Sequence, residues 1–133
     1  MVSQFTKRDP NTGVVAFMEK AKSTESSLYL SVITIGEIEK GIAKLSRYHD
    51  AQQAGKLKQW QDSLLTDFAD YLLPIDVDTT VIWGEMLAAT DDTNAIDKLI
   101  AATALQYGLT LVTRNIDHVD NTGVACVNPF DLA

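Results

Sequence analysis

The stretch that decides the fold is Asn94-Ala-Ile-Asp97-Lys-Leu-Ile-Ala-Ala-Thr-Ala-Leu-Gln-Tyr107-Gly108-Leu-Thr-Leu-Val112-Thr-Arg-Asn115. Its first half is a helix: Ile96, Leu99, Ile100, Thr103 and Tyr107 recur at helical spacing. Ala101, Ala102 and Ala104 are small enough to bring that helix close to a neighbour. Asn94 is placed to cap it, Asp97 lies on its first turn, and Gly108 is placed to end it. Leu109 to Val112 is then a short apolar run, the pattern of a strand buried on both faces. Thr113, Arg114 and Asn115 come next, at the carboxyl end of that strand, where open parallel sheets hold their sites.

Outward from this unit, strands and helices alternate. Val14, Val15, Phe17, Met18 and Ala21 predict a helix over Asn11–Lys22, and the β-formers after it predict a strand near Leu28–Ser31. Thr34–Leu45 is an amphipathic helix that turns Ile35, Ile38, Ile42 and Leu45 inward. A link over Tyr48–Gly55 leads to a second helix, Lys56–Asp70, with Leu57, Trp60, Leu64, Leu65 and Phe68 on its apolar side. Tyr71–Ile75 contains Pro74 and reads as a short or edge strand. Asp78–Ala89 is a helix, and Gly123–Asn128 a last strand ended by Pro129. Such alternation predicts α/β architecture around a mostly parallel sheet, in one domain spanning 1–133. The opening departs from that scheme: Phe5 stands alone among polar residues where a buried first strand is expected.

Composition narrows the function classes. The 133 residues are 46% hydrophobic, with no apolar run near the roughly 20 residues of a membrane helix and no signal-peptide pattern at the start. Cys126 is the only cysteine, which excludes an intrachain disulfide and a thiolate cluster and fits a reducing cytoplasm. Its apolar setting reads as packing rather than nucleophilic chemistry. The net charge of −7 argues against broad attraction to nucleic acid. Residues 34–60 are the exception, with Lys40, Lys44, Arg47, Lys56 and Lys58 against Glu37, Glu39 and Asp50. Such a segment can meet a polyanion or simply be a solvated helical hairpin.

Two acids stand out. Glu37 is three residues after Thr34, a capping-box spacing, and Asp97 is three after Asn94. Singly, each reads as a first-turn acid that offsets backbone N–H groups. Together, both fall near the carboxyl ends of expected strands, where they can share one crevice. Clustered carboxylates stay ionised only beside a cation, and hard oxygen ligands suit Mg2+ or Mn2+. Asn115 can orient a water and Arg114 can contact phosphate; their plainer reading is a polar turn. His118 lies beside Asp117, as an acid–base pair or as an ordinary surface histidine. No Ser-His-Asp order, Gly-rich phosphate loop or HExxH is present.

Ser31-Val-Ile-Thr-Ile-Gly-Glu37-Ile-Glu-Lys-Gly41, then Asp97-Lys-Leu-Ile-Ala-Ala-Thr-Ala-Leu, then Leu111-Val-Thr-Arg-Asn115, Thr122-Gly-Val and Asn128-Pro-Phe resemble, in combination and order, the PIN domain and more closely VapC-type toxins. The resemblance covers essentially the whole chain. It implies a PIN-like α/β/α sandwich and a Mg2+- or Mn2+-dependent endoribonuclease acting on RNA such as tRNA. Implied partners are a VapB-type antitoxin, a second toxin copy in a homodimer, and operator DNA reached only through the antitoxin, with no membrane. Glu37 and Asp97 match metal-binding acids, and Asn115 matches the Asp/Asn position after the fourth strand. Lys40, Lys44 and Arg114 are the candidate RNA contacts. Where the family places a further Asp, this chain has His118, with Asp117 one residue early, and either residue can stand in.

The family opens with an apolar central strand ending in Asp-Thr-Asn, and Met1-Val-Ser-Gln-Phe5 resembles the segment just past that motif. The expectation is therefore a missing first strand and first metal acid, through a start-site error or a true truncation. Lower activity and weakened neighbouring strands are the expected consequences, since each unmade buried hydrogen bond costs about 1–3 kcal/mol. The alternative function is a catalytically inactive protein that still binds the antitoxin. A receiver-like domain is a distant third, lacking the acidic pair and late lysine it needs.

Overall fold

The computed structural model describes residues 2–3 and 28–128. The helix predicted over Asn11–Lys22 lies outside the described residues. Five strands form one parallel sheet: β1 (Val2–Ser3), β2 (Tyr29–Ser31), β3 (Leu72–Leu73), β4 (Leu111–Val112) and β5 (Cys126–Val127), in the order β3-β2-β1-β4-β5. Between them run α1 (Val32–Arg47), α2 (Ala51–Asp67), α3 (Val77–Ala89) and α4 (Ala95–Gln106). None of the described helices is long and apolar enough to cross a membrane.

The central position is filled. Val2 and Ser3 pair with Tyr29 and Leu30 on one side and with Leu111 and Val112 on the other. Only two residues on each side are joined, so the expectation of a missing first strand stands beside a short pairing that fills part of its place. Two facing rows of unpaired N–H and C=O groups are a template for any extended segment within reach. Neither Val2 nor Ser3 is an acid, so β1 does not supply the carboxylate that the resemblance places on that strand.

Alternation along the strands divides the core into two layers. Leu30 joins Ile38, Leu57, Leu64 and Phe68 beneath the α1–α2 hairpin, with Leu72 packed against them. The neighbours in sequence, Tyr29 and Leu73, belong to the other layer, with Met86, Ile100, Ala101, Ala102, Ala104 and Leu111. Successive strand residues point to opposite faces, so these clusters lie on the two sides of the sheet. Ala101, Ala102 and Ala104 of α4 are fully buried, as their size predicts. The helix stripes are narrower than the periodicity predicts, however: Ile96, Tyr107 and Leu65 are partly exposed.

Helix ends obey local chemistry, with some corrections. Tyr48 caps α1; the His49 N–H then donates to the Ser46 carbonyl and the Asp50 N–H to the Leu45 carbonyl, which puts His49 in the left-handed region at φ 60°. The same pair of bonds closes α4, with Gly108 at φ 64° as the sequence predicts. Helix α2 starts at Ala51 rather than Lys56 because the Asp50 side chain accepts from the Gln53 N–H at 3.2 Å. Asp76 caps α3 and exchanges bonds with Thr79. Gln106 reaches from the last turn of α4 to the same carboxylate at 3.0 Å. These contacts, the Thr79 N–H first, hold the Asp76 carboxyl below its ordinary value.

The predicted Thr34–Glu37 capping box does not form. Ser31 ends β2 in extended backbone and its side chain accepts from the Ile33 N–H at 3.1 Å, so α1 begins earlier than predicted. Thr34 is thereby buried on the first turn and Glu37 moves to the second. Asn94 is also no side-chain cap: it occupies the left-handed region at φ 55° and its side chain makes no capping bond.

Candidate functional site

The parallel sheet brings the candidate acids to one edge. Helix α1 leaves the carboxyl end of β2, which puts Glu37 just beyond that end. Helix α4 runs back into β4, so its first turn, with Asp97, lies toward the carboxyl end of β4. Because β2 and β4 flank β1, the acids stand on either side of the central strand, where the strand order changes direction. Open α/β sheets bind ligands at that crevice.

Asp97 is held on both sides of its own helix turn. Its neighbour Lys98 turns into the protein, where the side chain is 2% exposed and Nζ donates to the Asp91 carbonyl at 2.8 Å and to Asp91 Oδ1 at 3.1 Å. That buried ammonium closes the loop between α3 and α4. The Asp91 carboxyl is pulled down to about 2 by the hydroxyl and N–H of Thr93 and by Lys98. Trp83 adds a bond from its indole N–H to the Ala95 carbonyl at 2.9 Å. The start of α4 is therefore fixed by a buried cation and an indole, neither singled out from the sequence. A lysine within an apolar helical run was the available signal.

The other side of Asp97 meets His118. Nδ1 of His118 lies 2.7 Å from Asp97 Oδ2; the carboxylate is 18% exposed and the imidazole 41%. A carboxylate accepts, which places the ring hydrogen on Nδ1. His118 ends a 3-10 turn over Ile116–His118, held by its N–H on the Asn115 carbonyl, and the next residue, Val119, is buried in the core. The sequence offers His118 as an ordinary surface histidine or as a partner of Asp117; the structure pairs it with Asp97 instead. The 3-10 turn points Asp117 outward and the histidine back over α4, and Asp117 is exposed.

The remaining candidates are spread more widely. Glu37 is half-buried. Asn115 is half-buried, and its N–H donates to Thr113 Oγ1 at 3.0 Å. Arg114 is exposed at the tip of β4, and Lys40 and Lys44 are exposed one turn apart on α1. Cys126 is half-buried, and its thiol is pushed above its ordinary value by burial and by Asp120, as suits a packing residue.

Among the described residues, no three His, Cys, Asp or Glu side chains converge to hold a metal ion. Two carboxylates are nonetheless the donor chemistry that Mg2+ accepts, since that ion keeps several waters and takes substrate phosphate oxygens beside one or two carboxylates. The site thus fits a hard divalent ion in kind, as an open site rather than a closed protein cage.

Comparison with known proteins adds an independent line. The sequence matches the PIN domain over residues 2–123. It is 28% identical over 142 residues to the VapC ribonuclease Y4jK of Sinorhizobium fredii, covering 100% of this chain and 95% of that protein. It is 30% identical over 139 residues to Toxin FitB of Neisseria gonorrhoeae, covering 98% and 94%. The crystal structure of FitAcB from Neisseria gonorrhoeae superposes with a TM-score of 0.81 at 29% identity, over 99% of this chain and 100% of that one.

Proposed function

The chain belongs to the PIN-domain family, on its VapC-type toxin branch, and from that premise we propose that it is the toxin of a type II toxin–antitoxin pair and a metal-dependent endoribonuclease. The observation that supports this most directly is the placement of Glu37 and Asp97 at the carboxyl ends of the two strands that flank β1. In this reading Glu37 and Asp97 hold Mg2+ or Mn2+. When bound, the ion supplies neutralisation of the scissile phosphate and activation of a water. Asn115 orients that water, and Asp117 adds negative charge at the rim. Arg114, Lys40 and Lys44 meet the RNA backbone, Arg114 with the planar fork that matches phosphate. The chain works as one domain and a homodimer in the cytoplasm, is inhibited by a VapB-type antitoxin, and reaches operator DNA only through it.

The test is cleavage of structured RNA by the purified chain with Mn2+ or Mg2+. Cleavage that falls by about 100-fold or more in both Glu37→Gln and Asp97→Asn is the expected result. Because β1 carries no acid, the rate should lie below that of relatives whose first strand ends in Asp. The lack of a converging trio among the described residues favours one second reading, a catalytically inactive protein that retains antitoxin binding. Co-elution with the antitoxin, without cleavage at any metal concentration, would establish that reading instead.

A further inference from the structure

The contact between Asp97 and His118 joins the first turn of α4 to the turn after β4, across 21 residues of chain. Both ends are anchored by the core. Ile100 and Ala101, one turn beyond Asp97, are fully buried, and Val119, beside His118, is 1% exposed. Ile100, Ala101 and Val119 belong to one core cluster, so the packing of α4 against the β4 layer brings the two side chains to 2.7 Å. The hydrogen bond engages Nδ1, the ring nitrogen nearer the backbone, which leaves little slack in the imidazole torsions. Among the described residues His118 makes no other side-chain hydrogen bond, so its bonding capacity on the protein side is directed at Asp97.

We propose that His118 is a positioning residue for Asp97: its Nδ1–H holds Oδ2 and so fixes the plane in which the carboxylate is presented at the carboxyl edge of the sheet. This rests on the reading of Asp97 as a cation-binding acid. A carboxylate without such a tether rotates about its terminal torsion, which is soft and nearly two-fold. Freezing that rotation before the ion arrives removes an ordering cost, and outer-shell partners of this kind typically change metal affinity by about 10–100-fold when removed.

Three variants separate positioning from bulk and charge. His118→Asn keeps a donor near the Nδ1 position, His118→Gln places its donor near Nε2, and His118→Ala removes both. Mn2+ binding to the purified chain is measured by titration calorimetry, with melting by circular dichroism to confirm that each variant is folded. The expected result is an affinity about tenfold weaker in His118→Ala and His118→Gln and restored to within about threefold in His118→Asn. Imidazole 15N shifts should also report the Nδ1–H tautomer in the original chain and its loss in Asp97→Asn. Unchanged Mn2+ affinity in a folded His118→Ala, or equal loss in the Asn and Gln variants, would overturn the proposal. If Asp97→Asn weakens Mn2+ binding while His118→Ala does not, positioning alone is wrong; if Asp97→Asn binds Mn2+ as the original chain does, the cation-binding reading of Asp97 falls and the proposal with it.

Discussion

The α1–α2 hairpin carries Glu37 and is set at one close approach. A Cβ added at Gly41 would lie 3.1 Å from Leu57 Cδ2, whereas one added at Gly55 or Gly84 would meet nothing within 4 Å. All three glycines are inside helices. Gly→Ala in a helix interior gains roughly 0.8–1 kcal/mol of propensity, so Gly55→Ala and Gly84→Ala should each stabilise the chain by about that much. At Gly41 the same gain meets an overpacking cost of about 1–3 kcal/mol, because Leu57 is only 6% exposed and its methyl must shift within the core. Gly41→Ala should therefore be neutral to about 2 kcal/mol destabilising. Urea denaturation reads these differences, and a double-mutant cycle isolates the contact. In a Leu57→Ala background the contact is gone, so Gly41→Ala should recover its full gain and the coupling should be about 1 kcal/mol or more. A Gly41→Ala variant as stable as Gly84→Ala, or a coupling within error of zero, would refute the reasoning.

Two further outcomes are expected from the helix ends. His49 sits at φ 60° in the position where glycine is at ease. His49→Gly should therefore stabilise the chain by about 1 kcal/mol in the same assay, and no gain would show that the left-handed backbone is not strained there. The carboxyls of Asp76 and Asp91 lie below the ordinary 3.8 when folded, Asp91 at about 2. Their contribution to stability is present above 3.8 and is lost as pH falls below it, for Asp91 toward about 2, because the unfolded chain binds the protons first. Asp76→Asn should make the acid limb of the melting temperature shallower, and an unchanged limb would show that Asp76 plays no part in it.

The sequence by itself determined the alternation of elements, the parallel α/β class and most of the core. These depend on neighbours in the chain: Leu30 and Leu111 lie in apolar strand runs, Ile38, Leu57 and Ile100 recur at helical spacing, and Gly108 provides the only side-chain-free stop after α4. It also determined which acids reach the carboxyl edge, since connectivity alone puts Glu37 and Asp97 there. Tertiary structure decided the rest. The capping of α1 passed from Thr34 to Ser31 because β2 runs directly into the helix. Lys98 turned inward because the carbonyl and carboxylate of Asp91 lie in the loop it closes. Val2 and Ser3 lie between β2 and β4, two strands distant from each other in sequence. His118 found Asp97 rather than Asp117 because α4 packs against the β4 layer. Each of these depends on groups far apart in the chain, and residue spacing carries no information about such distances until the layers are assembled.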